Sequence, residues 1–278
     1  MERRDSSRGS LTQAAASASS LCILGCRVDR VDAGAAVARI EQQIAQGTPA
    51  QVVTLGAEMA NLAHDDDRYR EVLNSAALVV PDTIGIVLAS RWIGTPLPER
   101  VAGIDLIERL CALAAQRGLP IFLLGGAPGI ASAAGLALEQ RHPGLVIAGV
   151  ESGYFRDEAS GPVIERIRNS GARLVLVGLG FPRQEYWIHD HLAALRVPVS
   201  VGVGGLFDHW AGHLRRAPVY VRRMGMEWVQ LLLQQPHKWR RYINGNPKFV
   251  ARALLDVRRN GLARDPMPAP GSDEAVRR

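Results

Sequence analysis

At 278 residues, with 47% hydrophobic and 22% charged content, the chain lies in the ordinary globular range and exceeds most single domains, which predicts one substantial core plus an appendage. Its longest apolar runs, such as Leu174 to Leu179, fall far short of the ~20 residues of a membrane span, so any membrane contact is peripheral. The net charge of +6 is unevenly held: residues 213–260 carry 11 Lys and Arg against 2 acidic residues, net +9, while the remainder carries 22 against 25, net −3. A localised basic block implies an anionic partner, whether phospholipid, phosphorylated ligand or nucleic acid.

Residues 1–20 are polar and rich in Ser and Ala, without hydrophobic periodicity, and are expected to form a disordered leader. Leu21-Cys22-Ile23-Leu24-Gly25-Cys26 faintly suggests a lipoprotein cleavage site. No continuous apolar stretch precedes it, which argues against export. Cys22, Cys26 and Cys111 lack metal-type pairing and read as reduced thiols of a cytoplasmic protein.

From Leu21 onward, Val52–Leu55, Leu78–Val80, Ile121–Leu124, Leu145–Val150, Leu174–Val177 and Val197–Val203 read as strands. Helix-length segments such as Ile104–Arg117 and Ala131–Arg141 alternate with them. Strands that are apolar on both faces and separated by helices predict an α/β fold, a mostly parallel sheet covered on both sides, over residues 21–212. Residues 213–260 interleave Trp228, Trp239, Tyr242 and Phe249 with basic side chains. They predict a basic appendage of short amphipathic helices, starting after Pro218 and again near Pro236. The Pro-containing stretch 261–278 reads as a tail.

Ligands of open α/β sheets bind at the carboxyl ends of the strands, and the unusual residues cluster there. Gly125-Gly126 and Gly178/Gly180 suit a diphosphate, because glycine lets backbone N–H groups approach it at a helix N-terminus. Tight βα turns also need glycine for geometry alone. Gly204 opens the corresponding turn after the last strand. Asp82, directly after a strand ending in Pro81, is the candidate catalytic base, with helix or turn capping as its bland alternative. Gln184 and Glu185 are placed to meet sugar hydroxyls or, alternatively, to serve a helix N-terminus. Arg100 is a candidate phosphate grip, and Asp105 is equally a cap. No G-x-G-x-x-G follows the first strand and no P-loop occurs. There is likewise no H-E-x-x-H metal set and no G-x-S-x-G elbow, so metal-hydrolase and Ser-His-Asp chemistry lose support, and no cofactor-binding motif stands out.

The ordered set Thr54, Pro81-Asp82 with Gly85, Glu99-Arg100-Val101-x-Gly103-x-Asp105-Leu106, Gly125-Gly126-x-Pro128-Gly129, Gly153-Tyr154-Phe155, Gly178-x-Gly180-x-Pro182-x-Gln184-Glu185, Gly202-Val203-Gly204-Gly205-x-Phe207-Asp208 and Arg216-Ala217-Pro218 resembles the WecG/TagA/CpsF family of bacterial glycosyltransferases. The resemblance runs from about residue 23 to about residue 250. It implies a Rossmann-like, inverting, metal-independent transferase that moves a sugar from a UDP-sugar to an undecaprenyl-diphosphate-linked acceptor at the cytoplasmic face of the membrane. The sugar would be of N-acetylmannosamine, its uronic acid, glucose or glucuronic acid type. By position it makes Asp82 the base, puts Thr54, Arg100 and Gln184 in the donor pocket, and gives Tyr154 and Asp208 to the nucleotide. It also makes Lys238 and Arg241 cations supplied by a membrane-docking appendage.

Two departures stand beside the expected donor site: Gly56 where the family usually has Asn, and Thr83 where it usually has Gly. A third is the lack of a basic residue shortly after Trp228, where Gln230 and Leu231 stand. A nucleotide- or nucleic-acid-binding regulator is the competing class, but no helix-turn-helix, RNA-binding or OB signature accompanies the charge, so no nucleic-acid partner is expected. A catalytically weakened scaffold is the third reading, and an apolar face on the appendage leaves room for a homo-oligomer.

Overall fold

A computed structural model describes residues 20–218, 221, 227–234 and 239–260. The expected leader and tail therefore lie outside the described residues, apart from Ser20. Six strands form one parallel sheet: β3 (Ala50–Leu55), β4 (Leu78–Pro81), β5 (Ile121–Gly125), β6 (Ile147–Glu151), β7 (Leu174–Gly178) and β8 (Val199–Gly202), in the order β4-β3-β8-β7-β5-β6. Each contains or overlaps an expected strand. The hairpin β1 (Ser20–Ile23) and β2 (Cys26–Asp29) was not anticipated. It is built from the residues that mimicked a lipoprotein signal. Leu24 and Gly25 both take positive φ, 51° and 82°, as a two-residue turn matching strand twist requires. Asp29 Oδ2 accepts the Val79 N–H at 2.8 Å, which satisfies an amide of the edge strand β4 and blunts it against foreign pairing.

The helices are α1 (Ala33–Gln46), α2 (Ala57–Asp65), α3 (Asp67–Ser75), α4 (Ile84–Trp92), α5 (Gly103–Arg117), α6 (Ile130–Arg141), α7 (Ser160–Asn169), α8 (Arg183–Leu195), α9 (Leu206–Trp210), α10 (Glu227–Gln234) and α11 (Trp239–Asn260). Strand alternation divides the core. Val52, Val80, Leu123, Leu176 and Val201 pack with Ile40, Leu106, Leu110 and Leu138 on one face. Val53, Leu55 and Val79 pack with Met59, Ala60, Tyr69 and Ile86, and Val175 and Val177 with Ile167 and Ile188, on the other. Period-2 strands buried on both faces are what a covered parallel sheet demands.

The central neighbours β3 and β8 send their chains to opposite faces. α2 joins the Met59 side, whereas Phe207 and Trp210 of α9 join the Leu106 side. Such a divergence opens a crevice at the carboxyl edge of the sheet.

The second appendage helix is longer than expected, at 22 residues with Pro247 inside it. It belongs to the main core rather than lying apart from it. Phe249 and Ala253 are buried with the α2 and α4 residues, Asn61 Nδ2 donates to Gly245 O at 2.8 Å, and Arg252 and Lys248 both pair with Asp65. Among the described residues no helix is long and apolar enough to cross a membrane. Cys26 and Cys111 are buried, Cys22 is partly so, and all three are free.

Candidate active site

Among the described residues, two clefts lie at the carboxyl edge of the sheet. The first, of about 190 Å³, lies over the ends of β3, β4 and β8. Thr54 of β3 and Asp82, the first residue beyond β4, line it. The Asp82 amide donates to Leu55 O at 3.0 Å, and Val101 N donates to Pro81 O at 2.8 Å, so the backbone that carries the carboxylate is tied down. Its Oδ1 accepts the Gly103 N–H at 2.6 Å. Gly103 opens α5, where helix amides have no intrahelical acceptor and favour negative charge. Asp82 thus does serve a helix N-terminus, but from another element, while still lining the cleft. The capping and catalytic expectations are compatible.

Thr54 Oγ1 lies 3.5 Å from Gly202 O, linking the floor to β8. The turn beyond β8 is held from below by Gln184, whose Oε1 accepts the Gly204 N–H at 2.9 Å and whose Nε2 donates to Glu185 Oε1 at 2.7 Å. Gln184 is 5% exposed and is not among the residues lining the cleft. It positions the turn. A side chain on Gly202 would collide with its amide, the added Cβ lying 2.6 Å from Nε2.

Glu185, expected to meet substrate, is corrected by its surroundings. At 2% exposure it faces inward, accepting from Tyr69 OH at 3.0 Å, while Gln51 donates to its backbone carbonyl at 3.2 Å. Desolvation pushes its carboxyl up to about 7, against the hydrogen bonds from Gln184 and Tyr69.

The second cleft, about 490 Å³, lies over β5, β6 and β7 and is lined by Gly126, Gly153, Tyr154, Phe155, Gly178 and Arg183, among others. Its glycines are set by close approach: a Cβ on Gly125 would meet Gly178 O at 2.4 Å, and Gly126 N donates to Gly178 O at 3.2 Å. Tyr154 is 77% exposed, an unusual exposure for a large ring and a surface on which a base can stack. Arg183 was not among the residues expected from sequence. Its guanidinium donates to Gly153 O at 3.0 Å and Phe155 O at 2.7 Å, pairs with Asp157 at 3.0 Å and stacks 4.9 Å from the Phe155 ring centroid, thereby pinning the loop that carries Tyr154.

Of the remaining expected site residues, Gly180 and Gly204 take positive φ, 76° and 55°, at the turns beyond β7 and β8. Arg100 is half-buried in the loop before α5 and Asp208 half-buried in α9. Neither is among the residues lining the two clefts. Lys238 lies outside the described residues, and Arg241 is on α11 with its side chain outside them. Among the described residues, Arg215 and Arg216 line the Asp82 cleft. The Arg216-Ala217-Pro218 motif was the available signal, but nothing local in it predicts which cleft it reaches.

The two departures meet each other. Thr83 Oγ1 accepts the Ala57 N–H at 3.2 Å, and its methyl occupies the space beside Gly56, where an added Cβ would lie 3.3 Å away. Thr83 thereby caps α2 from across the gap, which Gly56, at the N-cap position without a side chain, cannot do.

The sequence model of the glycosyl transferase WecG/TagA/CpsF family matches residues 21–262. The chain belongs to this family. As a WecG/TagA/CpsF glycosyltransferase it is an enzyme, and it is 37% identical over 213 residues to an N-acetylglucosaminyldiphosphoundecaprenol N-acetyl-beta-D-mannosaminyltransferase of Bacillus spizizenii. It is 32% identical over 213 residues to the protein of the same description from Bacillus subtilis. Each alignment spans 77% of this chain and 82% of the relative. Among the described residues of this family member, no group of three or more His, Cys, Asp or Glu is arranged to hold a metal.

Proposed function

We propose that the chain catalyses inverting transfer of a sugar, of N-acetylmannosamine, its uronic acid, glucose or glucuronic acid type, from a UDP-sugar to an undecaprenyl-diphosphate-linked acceptor in cell-surface polysaccharide synthesis. The observation that carries the reading is the Asp82 carboxylate, fixed beside Thr54 in a cleft at the sheet's carboxyl edge. The acceptor hydroxyl oxygen attacks the anomeric carbon, its proton passes to Asp82, and the bond to the UDP oxygen breaks with its electron pair on the diphosphate. One displacement inverts the anomeric centre. The wider cleft takes the nucleotide, with Tyr154 stacked on uracil and the Gly126 and Gly178 turns beside the phosphates. The two relatives, described as transferring N-acetylmannosamine, favour that donor type.

The enzyme works on the inner face of the plasma membrane. Ile84 and Leu88 of α4 and Val250, Leu254 and Leu255 of α11 are exposed apolar side chains on two helices packed together. The basic segment 213–260 complements anionic headgroups around them.

The test is UDP release from a panel of UDP-sugars with a synthetic lipid-diphosphate-sugar acceptor, comparing wild type with Asp82→Asn. Acceptor-dependent turnover lost in the variant supports the reading. UDP binding without turnover of any donor favours the weakened scaffold instead.

A further inference from the structure

The helix α9 has only five residues, too few to persist on its own hydrogen bonds, yet its Leu206 and His209 line the Asp82 cleft. Gly103, Ile104 and Ile107 of α5 line the same cleft, and the Gly103 amide holds the Asp82 carboxylate. Where the α9 side chains stand relative to that carboxylate therefore depends on how α9 is fixed to α5.

Glu108 makes the connection. It follows Ile107 on α5 as Trp210 follows His209 on α9, so on each helix the tie lies one position beyond a cleft-lining residue. Glu108 Oε1 accepts the Trp210 indole N–H at 2.7 Å and a further hydrogen bond from Arg141 Nη1, while Oε2 lies 2.8 Å from His142 Nε2. Arg141 ends α6 and His142 is its C-cap residue, so three helices converge on one carboxylate.

Burial of Trp210 in the core with Phe207, Leu106 and Leu138 holds α9 against the body of the protein, but apolar packing has no preferred direction. A hydrogen bond does, and a buried indole N–H is costly to leave without an acceptor. Burial alone would push the Glu108 carboxyl up; the hydrogen bonds from Trp210, His142 and Arg141 outweigh it and hold the group below its ordinary value. An ionised acceptor makes the stronger bond to the indole.

We propose that Glu108 is a positioning residue of the Asp82 cleft: by holding the Trp210 indole it fixes α9, and with it Leu206 and His209, in register with the α5 turn that holds Asp82. The reaction it serves is taken from the transferase reading, whereas the hold on α9 can be measured without any turnover.

The full-length protein is compared as wild type, Glu108→Leu, Glu108→Gln, Trp210→Phe and Arg141→Ala. Amide hydrogen exchange over residues 203–212, melting temperature, UDP affinity, and kcat and KM in the UDP-release assay are recorded for each. Glu108→Leu and Trp210→Phe both remove the N–H···O bond. They are expected to speed exchange in α9 and to lower kcat on the order of 10–100-fold, with UDP affinity unchanged because the cleft beside Tyr154 is untouched. Glu108→Gln keeps Oε1 for the indole and recovers most of the protection and of kcat. Arg141→Ala removes an ion-pair partner whose side chain is 51% exposed and leaves α9 exchange and kcat as in wild type, even where its melting temperature falls.

A Glu108 that served only to stabilise the fold would make kcat follow melting temperature across the whole series, Arg141→Ala included, and that result overturns the proposal. Wild-type exchange in α9, or wild-type kcat, in both Glu108→Leu and Trp210→Phe overturns it as well. Wild-type protein that turns over no donor sinks the transferase reading instead, and the exchange pattern alone then decides whether Glu108 holds α9.

Discussion

The two clefts on one sheet edge are built in opposite ways. Over β3, β4 and β8 the polar groups are tied to one another: Asp82 to Gly103, Thr54 toward Gly202, Gln184 to Gly204, Arg216 to Asp105. Over β5, β6 and β7 the lining is glycine backbone plus an exposed tyrosine on a loop pinned by Arg183. A reacting centre needs its groups preset within fractions of an ångström, whereas a base can be gripped by a flat ring and a shaped backbone. On the proposed transferase reading, the difference suits the first cleft to chemistry and the second to recognition.

That division breaks most easily at Asp82. Asp82→Asn keeps an oxygen for the Gly103 amide but cannot take a proton. Turnover should fall about 10²–10⁴-fold while UDP affinity by calorimetry stays within about twofold of wild type; a comparable loss of UDP affinity would merge the two clefts into one site. Tyr154→Ala is the converse variant. With a stacked base it should raise the donor KM on the order of tenfold and leave kcat nearly unchanged, so a drop in kcat alone would remove the nucleotide from the second cleft.

A smaller effect is expected at Glu185, which supports the first cleft without entering it. Its folded-state value is raised to about 7 from an ordinary 4.5. Its stabilisation is therefore complete below about pH 4.5 and is lost as pH rises through about 7. Tyr69, Gln184 and Gln51 surround it, and a neutral amide at 185 can satisfy the first two. Glu185→Gln should then flatten the decline of melting temperature between pH 5 and pH 8 and change turnover only a few-fold. A decline as steep as that of wild type would place the responsible group elsewhere.

The sheet was legible because its strands read as short, largely apolar runs separated by helix-length segments, the pattern expected of a covered parallel sheet. That Asp82 and Gly126 stand at the carboxyl edge of the sheet was legible from the strand ends they follow, whereas Tyr154 was singled out only through the family resemblance. The direction a side chain takes was not. Nothing in Gln184-Glu185 indicates that one residue supports the β8 turn while its neighbour turns inward to Tyr69, 116 positions away in sequence. The roles of Arg183 and Arg216 were hidden for the same reason, since their partners are long-range: the carbonyls of Gly153 and Phe155, and Asp105. The β1–β2 hairpin was missed because its four-residue strands are too short for alternation to declare itself.

The contact between Thr83 and Gly56 bears on how this sequence can change. With the Thr83 methyl already in the space beside residue 56, any side chain introduced there crowds it. Replacing Thr83 by glycine or alanine first removes the hydroxyl that holds the Ala57 amide, while Gly56 has nothing to offer in its place. Each single step is unfavourable even where the double replacement is sound, so drift at either position is held back until both move together. Screens that vary one site at a time will score both positions as intolerant and miss the alternative pair.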